Sequence, residues 1–319
     1  MRVCVSLLWT MLIAPLSLAD CQPQLRDTEV DLQQLREDVT YLASDELSGR
    51  KSGQEGAILA RKFIAGRFQQ LGLLTADFQK ADSTNEFFSE FILEGLFSDK
   101  IGVNVVAVIP GQMYPDDVIV FTAHYDHLGT QKGKIYPGAD DNASGVGALL
   151  AMAAKARHSP PQHTHIYVAT EYEEQGLYGA KAFVAAPPVP VENIKLNINM
   201  DMLSQPGYRH QLYIAGTRQS PWLAELLTAV VVQQRCTQFG HDGRTRSRYS
   251  RDFIDWRKAS DHWAFIRKDI PYLFIGVGEH RFYHQPNDSV EQIDWPFYFN
   301  AVQTVENIVE VIDRHQFEN

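Results

Sequence analysis

From residue 117 onward, short β-rich runs alternate with longer segments of helical periodicity, and that alternation leaves few architectures open. Asp117–Ala123, His165–Thr170, Lys195–Met200 and Tyr272–Val277 read as strands, while Ser144–Arg157, Trp222–Arg235 and Trp295–Arg314 read as helices. Strands joined through helices run parallel, and a parallel sheet must be covered on both faces. The expected fold class is therefore α/β, a mostly parallel, doubly covered sheet. Upstream, Asp31–Ala43 and Gln54–Leu71 carry apolar residues at helical spacing; in the second, Ile58, Phe63, Ile64, Phe68 and Leu71 form one stripe and Gly72 ends it. Glu86–Leu96 and Val103–Ile109 read as a strand pair, closed by Pro110-Gly111. No repeat or linker interrupts the chain, so residues 20–319 are expected to form a single domain, with 20–72 its N-terminal helical part.

The first nineteen residues follow another pattern. Arg2 precedes an apolar run, Leu7 to Leu18, that ends in Ser17-Leu18-Ala19, the form of a cleavable secretory signal. The run is broken by Pro15 and Ser17 and falls short of the roughly 20 residues of a bilayer span, so no membrane anchor is expected after cleavage. A secreted or periplasmic protein is implied. Cleavage leaves Cys21 and Cys236, which can pair or stay free. With 29 Lys+Arg against 39 Asp+Glu the formal charge is -10, which repels phosphate backbones and argues against nucleic acid as a partner. Two local clusters stand out. Arg244, Arg246, Arg248 and Arg251 mark the stretch 240–251 as a surface loop, or as a flap over a site. His158, His163 and His165 surround Pro160-Pro161, but they precede a strand and are expected in a surface loop at the sheet edge away from any ligand crevice.

In open α/β sheets that crevice lies beyond the carboxyl ends of the strands. The residues expected there are His124-Tyr125-Asp126, Glu171 to Glu174, Asp201 and, through a loop, Tyr283-His284. The turn Gly138-Ala139-Asp140-Asp141-Asn142-Ala143-Ser144-Gly145 adds acidic residues at the start of a helix, where Asp141 can be a cap or a ligand. Imidazole and carboxylate together suit zinc. His124, Asp141, Glu174, Asp201 and His284 suffice for two cations if one carboxylate bridges them, and Glu173 is left over as a base.

These segments, HYDHLG at 124–129, GADDNASG at 138–145, EEQG at 173–176, NMD at 199–201 and YH at 283–284, occur in the order that resembles the secreted dizinc aminopeptidases of metallopeptidase family twenty-eight. Ser260-Asp261-His262 and the LASDELSGR stretch at 42–50 are similar as well. The resemblance implies an aminopeptidase acting on peptides, with His124 and Asp201 on one zinc, Glu174 and His284 on the other, Asp141 bridging and Glu173 as general base and acid. It implies that Asp126 orients the His124 ring. Tyr283 is expected either to donate to a developing oxyanion or simply to pack. Asp140 reads as a residue opening the helix, His262 as structural or pocket-lining, and His127 and His280 match no ligand of the family. The span from Lys80 to Val103 leaves no room for an inserted domain. Two other readings share the fold: a single-zinc glutaminyl cyclase and a non-catalytic ectodomain.

Overall fold

The computed structural model describes residues 28–77, 87–95, 98–234, 236–240, 242–247 and 253–317. Helices α1 (Leu32–Leu42) and α2 (Glu55–Gln70) open it, followed by strands β1 (Leu74–Thr75), β2 (Phe88–Leu93), β3 (Lys100–Ile109) and β4 (Tyr114–His124). A hairpin of β5 (Gly129–Gln131) and β6 (Lys134–Tyr136) precedes α3 (Gly145–His158). Then come β7 (His163–Thr170), α4 (Tyr178–Ala185), β8 (Ile194–Met200), β9 (Leu212–Ala215) and α5 (Pro221–Gln233). The last elements are β10 (Thr237–Phe239), β11 (Arg244–Arg246), β12 (Phe253–Asp255), α6 (His262–Ile266), β13 (Tyr272–Val277) and α7 (Trp295–Asp313).

The central sheet runs β1-β3-β7-β4-β8-β13-β9-β10, with β2 also on β3. Its middle is parallel, β7 on β4, β4 on β8 and β8 on β13. Antiparallel pairs flank it, β3 on β7 and β13 on β9. The fold is thus α/β with a mixed, mostly parallel centre. Period-two alternation divides its side chains between two cores. Val105, Ala107, Ile119, Phe121 and Tyr167 face the larger one, packed with Leu35, Ile64, Leu149, Leu223 and Val305 from α1, α2, α3, α5 and α7. Val106, Val108, Val118, Val120 and Ile166 face the other, under Phe183 of α4 and Phe265 of α6. Asp31 caps α1 by accepting from the backbone N–H groups of Gln33 and Gln34, and Asp294 caps α7 through Phe297 N–H.

Several details differ from the reading of the chain alone. His163 and His165 lie inside β7 and are buried, not in a surface loop; His163 Nε2 is 2.8 Å from the His315 carbonyl and His165 Nε2 is 3.2 Å from Asp313. Pro160-Pro161 ends the connection two residues earlier than expected, so only His158 of the three is exposed. Part of the basic stretch forms the β11–β12 ribbon, whose Ile254 and the following Trp256 wall the pocket described below. Arg248 and Arg251 lie outside the described residues, as do residues 1–19 and Cys21. Cys236 is disulfide-bonded. Among the described residues no helix is long and apolar enough to cross a membrane.

Candidate metal centre

The parallel strands deliver the site at their carboxyl ends. His124 is the last residue of β4, and Asp126 and His127 follow it. Glu173 and Glu174 lie just beyond β7, Asp201 directly beyond β8, and Tyr283 and His284 in the loop after β13. Asp141 comes from the turn 139–144 ahead of α3, and its peptide bond to Asn142 is cis. Two glycines make that turn possible. A Cβ on Gly138, whose φ is +60°, would stand 2.2 Å from the Asp141 carbonyl and 2.6 Å from the His127 ring. One on Gly145 would stand 2.3 Å from both Asn142 Oδ1 and the Met200 carbonyl. Tyr172, Met202 and His284 hold positive φ of 62°, 61° and 55°. Such non-glycine conformers cost about 1–3 kcal/mol each and concentrate where a fold aims side chains at a site.

His124 Nε2 lies 3.3 Å from Asp141 Oδ1 and 3.4 Å from Asp201 Oδ1. His284 Nε2 lies 3.1 Å from Asp141 Oδ2 and 3.3 Å from Glu174 Oε2. Asp141 therefore turns one oxygen toward each histidine. Two ligands on a tetrahedral zinc with bonds of about 2.1 Å stand about 3.4 Å apart, so these separations fit atoms that share a cation. Among the described residues, His124 Nε2, Asp201 Oδ1, Glu174 Oε1 and His127 Nδ1 are buried without a hydrogen-bond partner. Such atoms are costly unless something else satisfies them. Two sets, His124 with Asp141 and Asp201, and His127 with Asp141 and Glu174, each hold ligand atoms within 4.8 Å of one another. The donor set thus fits two divalent cations that share Asp141.

Electrostatics point the same way. Asp141, Glu173, Glu174 and Asp201 crowd four carboxylates into one crevice, and two dications would balance them. Burial opposes a charged His284, yet its bonds to Asp141 and Glu174 hold it up at about 11. Burial also raises the Glu174 carboxyl, but His127 and His284 draw it down to about 2. The carboxylates recruit positive charge from any group within reach. Glu173 differs: burial first, then Asp201 and Glu174, push its carboxyl well above the usual range although His124 opposes them. It belongs to neither ligand set. Asp201 is raised as well, by burial against the pull of His124, so these two carboxyls hold protons more firmly than Asp141 and Glu174, which are drawn down.

The supporting shell holds residues the chain alone did not single out. Asp288 accepts the backbone N–H groups of Asp140 and Asp141, both at 3.0 Å, and so fixes the turn that carries Asp141. Arg50 is fully buried and donates to the carbonyls of Leu42, Tyr125, Pro137 and Gly138 at 2.5–2.8 Å. Asp140 is more than a residue opening the helix: it accepts from Ser204 N–H, Ser204 Oγ and His280 Nε2. Asp126 adjoins the His124 ring, with Oδ1 3.9 Å from its Nδ1. Its backbone carbonyl, 3.1 Å from His124 Nδ1, orients that ring, whereas its carboxylate accepts from Ser52 Oγ at 2.6 Å and Glu173 N–H at 3.1 Å. His262 is structural: Nε2 is 2.8 Å from the Trp256 carbonyl, and the ring stacks on Tyr272 and Phe274. Tyr283 stacks on His284 with centroids 3.9 Å apart and lines the crevice. Burial and the nearby Asp141 and Glu174 push its phenol far up, so it stays a neutral donor.

A pocket of about 90 Å³ opens over His124, Asp141, Glu173, Asp201 and His284, with apolar walls from Met202, Ile254, Trp256, Phe274 and Val277. Beside it, sharing Ile254, Trp256 and Glu279, lies a larger cavity of about 290 Å³ lined in part by Tyr208, Arg209 and Arg246.

Comparison with known proteins bears on this crevice. Aminopeptidase Y of Saccharomyces cerevisiae is 26% identical over 208 residues, 61% of this chain and 36% of the relative. Aminopeptidase YwaD of Bacillus subtilis is 25% identical over 204 residues, 62% of this chain and 42% of its own length. The match thus spans about a third to two-fifths of the length of these two relatives. A Zn-dependent exopeptidase from Parabacteroides distasonis superposes with a TM-score of 0.68 at 16% identity, covering 90% of this chain and 99% of the other. A glutaminyl cyclase from Fimbriiglobus ruber superposes equally well, with a TM-score of 0.68 at 16% identity over 91% and 98% of the two chains. At that identity the superpositions show the fold alone. Residues 104–309 match Peptidase family M28, and the chain belongs to that family.

Proposed function

We propose that this protein is an exported aminopeptidase with a dinuclear zinc centre, hydrolysing the N-terminal peptide bond of its substrates. One observation carries the reading: the Asp141 carboxylate turns Oδ1 toward His124 and Oδ2 toward His284. His124 and Asp201 would hold one cation, Glu174 and His284 the other, with Asp141 between them. When bound, such cations supply Lewis acidity, lowering the pKa of a water and polarising the scissile carbonyl.

The chain's own residues do the rest. Glu173 takes the proton from the attacking water and returns it to the departing amine, a task suited to its raised proton affinity. The Asp126 carboxylate holds the Glu173 backbone, and the Asp126 carbonyl fixes the His124 ring. Tyr283 offers a neutral O–H to the oxygen that gains charge. Met202, Trp256 and Phe274 enclose a side chain of modest size and exclude water from it. The pattern at residues 1–19 supports export, and the two named aminopeptidases among the relatives support the reaction.

The test is metal-free protein supplied with zinc, cobalt or manganese and assayed on free and N-acetylated peptides. Turnover restored only by metal, and only on free N-termini, is expected. Normal folding with no restored peptidase activity would overturn the reading, as would one tightly held cation with cyclisation of N-terminal glutamine.

A further inference from the structure

The ion pairs described above leave one buried histidine unexplained. His127 is 1% exposed, and neither of its ring nitrogens has a hydrogen-bond partner among the described residues. Nδ1 lies 2.8 Å from Glu174 Oε1, a close ion-pair contact in which neither atom is satisfied by a regular hydrogen bond among the described residues. Nδ1 also lies 3.8 Å from Asp141 Oδ2. The His127 and His284 rings meet edge to face at 63° with centroids 5.8 Å apart, and both reach Asp141 and Glu174. His127, Asp141 and Glu174 thus bring three ligand atoms within 4.8 Å of one another, the spacing that ligands of one cation need. The ring fits there because position 138 is glycine: a Cβ would stand 2.6 Å from it.

We propose that His127 is a further ligand of the cation held by Glu174 and His284. This rests on the dinuclear reading above. That site then has four side chains, His127, Asp141, Glu174 and His284, whereas its neighbour has three, His124, Asp141 and Asp201. Sites closed by four side chains are the structural kind, and sites with three retain a position for water. The two sites are consequently unequal. The four-ligand site fills first and holds its cation most firmly, while the three-ligand site beside Glu173 exchanges and carries the reacting water.

The experiment uses the wild-type protein loaded with two cobalt(II) ions. In its proton NMR spectrum each ligating histidine shows one exchangeable, strongly shifted ring N–H signal. Three such signals are expected, from His124, His127 and His284. Two signals with two cobalt ions bound would overturn the proposal and leave the dinuclear centre standing; no bound cobalt would overturn both. In His127→Ala, stepwise titration with zinc should show the tighter site weakened by more than the 10–100-fold that loss of an outer hydrogen-bond partner costs. An unchanged pair of affinities would show that His127 only packs against Glu174.

Discussion

Arg50 offers the sharpest test of how the crevice is held together. Its guanidinium is buried without a carboxylate partner at hydrogen-bond distance and instead ties four backbone carbonyls, two of which, Tyr125 and Gly138, flank the segments that bear His124 and Asp141. Hydrogen bonds to a charged group are worth about 2 kcal/mol each, roughly 8 kcal/mol for four. Against this, burial, partly offset by Asp288 and Asp141, lowers the Arg50 pKa from 12.5 to about 10, equivalent to about 3 kcal/mol against the charged form. Arg50→Met should therefore cost about 5 kcal/mol, a large part of the 5–15 kcal/mol that stabilises a typical domain. Arg50→Lys, with three donors on a point charge, should cost roughly half as much. Urea unfolding of metal-free protein reads both numbers from the shift of the midpoint at constant slope. A loss below about 1 kcal/mol in Arg50→Met would refute the idea that the four carbonyls depend on this side chain.

Asp288→Asn removes one of two acceptors that fix the Asp140 and Asp141 amides, and should lower zinc affinity about 10–100-fold with little change in fold, measured by competition with a chromophoric chelator. His262 sets an acid limit. Burial, opposed by its bond to the Trp256 carbonyl, depresses its pKa from 6.5 to about 4, so between those values the unfolded chain binds more protons than the folded one. Stability of the metal-free protein should be unaffected by His262 above pH 6.5 and fall by about 3 kcal/mol on going to pH 4, a slope that His262→Gln should remove. Gly138→Ala forces a Cβ into the Asp141 carbonyl at a positive φ, and should lose at least 2 kcal/mol of thermal stability together with metal binding; calorimetry with and without zinc reads both.

The central strands were legible because each is a short run rich in apolar and β-branched residues bounded by turn residues, and their observed bounds differ from the reading by only a few positions. Short elements left no periodic trace. Strands β9 and β10 have 4 and 3 residues, and the β11–β12 ribbon has 3 in each arm, too few for a period of two to register. His163 and His165 were misplaced because the prolines beside them signal a loop, while their burial depends on Asp313 and His315 some 150 positions away. Asp288 and Arg50 escaped for the same reason: each acts on backbone groups distant in sequence, and a lone Asp or Arg has no pattern of its own. Of the five ligand candidates, His124, Glu174 and Asp201 were legible at or just beyond strand ends, where an α/β sheet puts its chemistry, whereas Asp141 in a turn and His284 in a loop were marked only by their motifs. Which atom of Asp126 faces His124 was not legible, since the choice between carbonyl and carboxylate is a matter of local backbone direction.

The most direct test of the proposed chemistry is to count cations and turnover together in Glu173→Gln. Mass-spectrometric metal analysis should find two zinc ions per chain, as in the wild type, while peptide hydrolysis falls by about 10²–10⁴ from loss of the general base. One cation or none, or two cations with wild-type turnover, would contradict a crevice in which paired metals are held by other residues and Glu173 alone moves the proton.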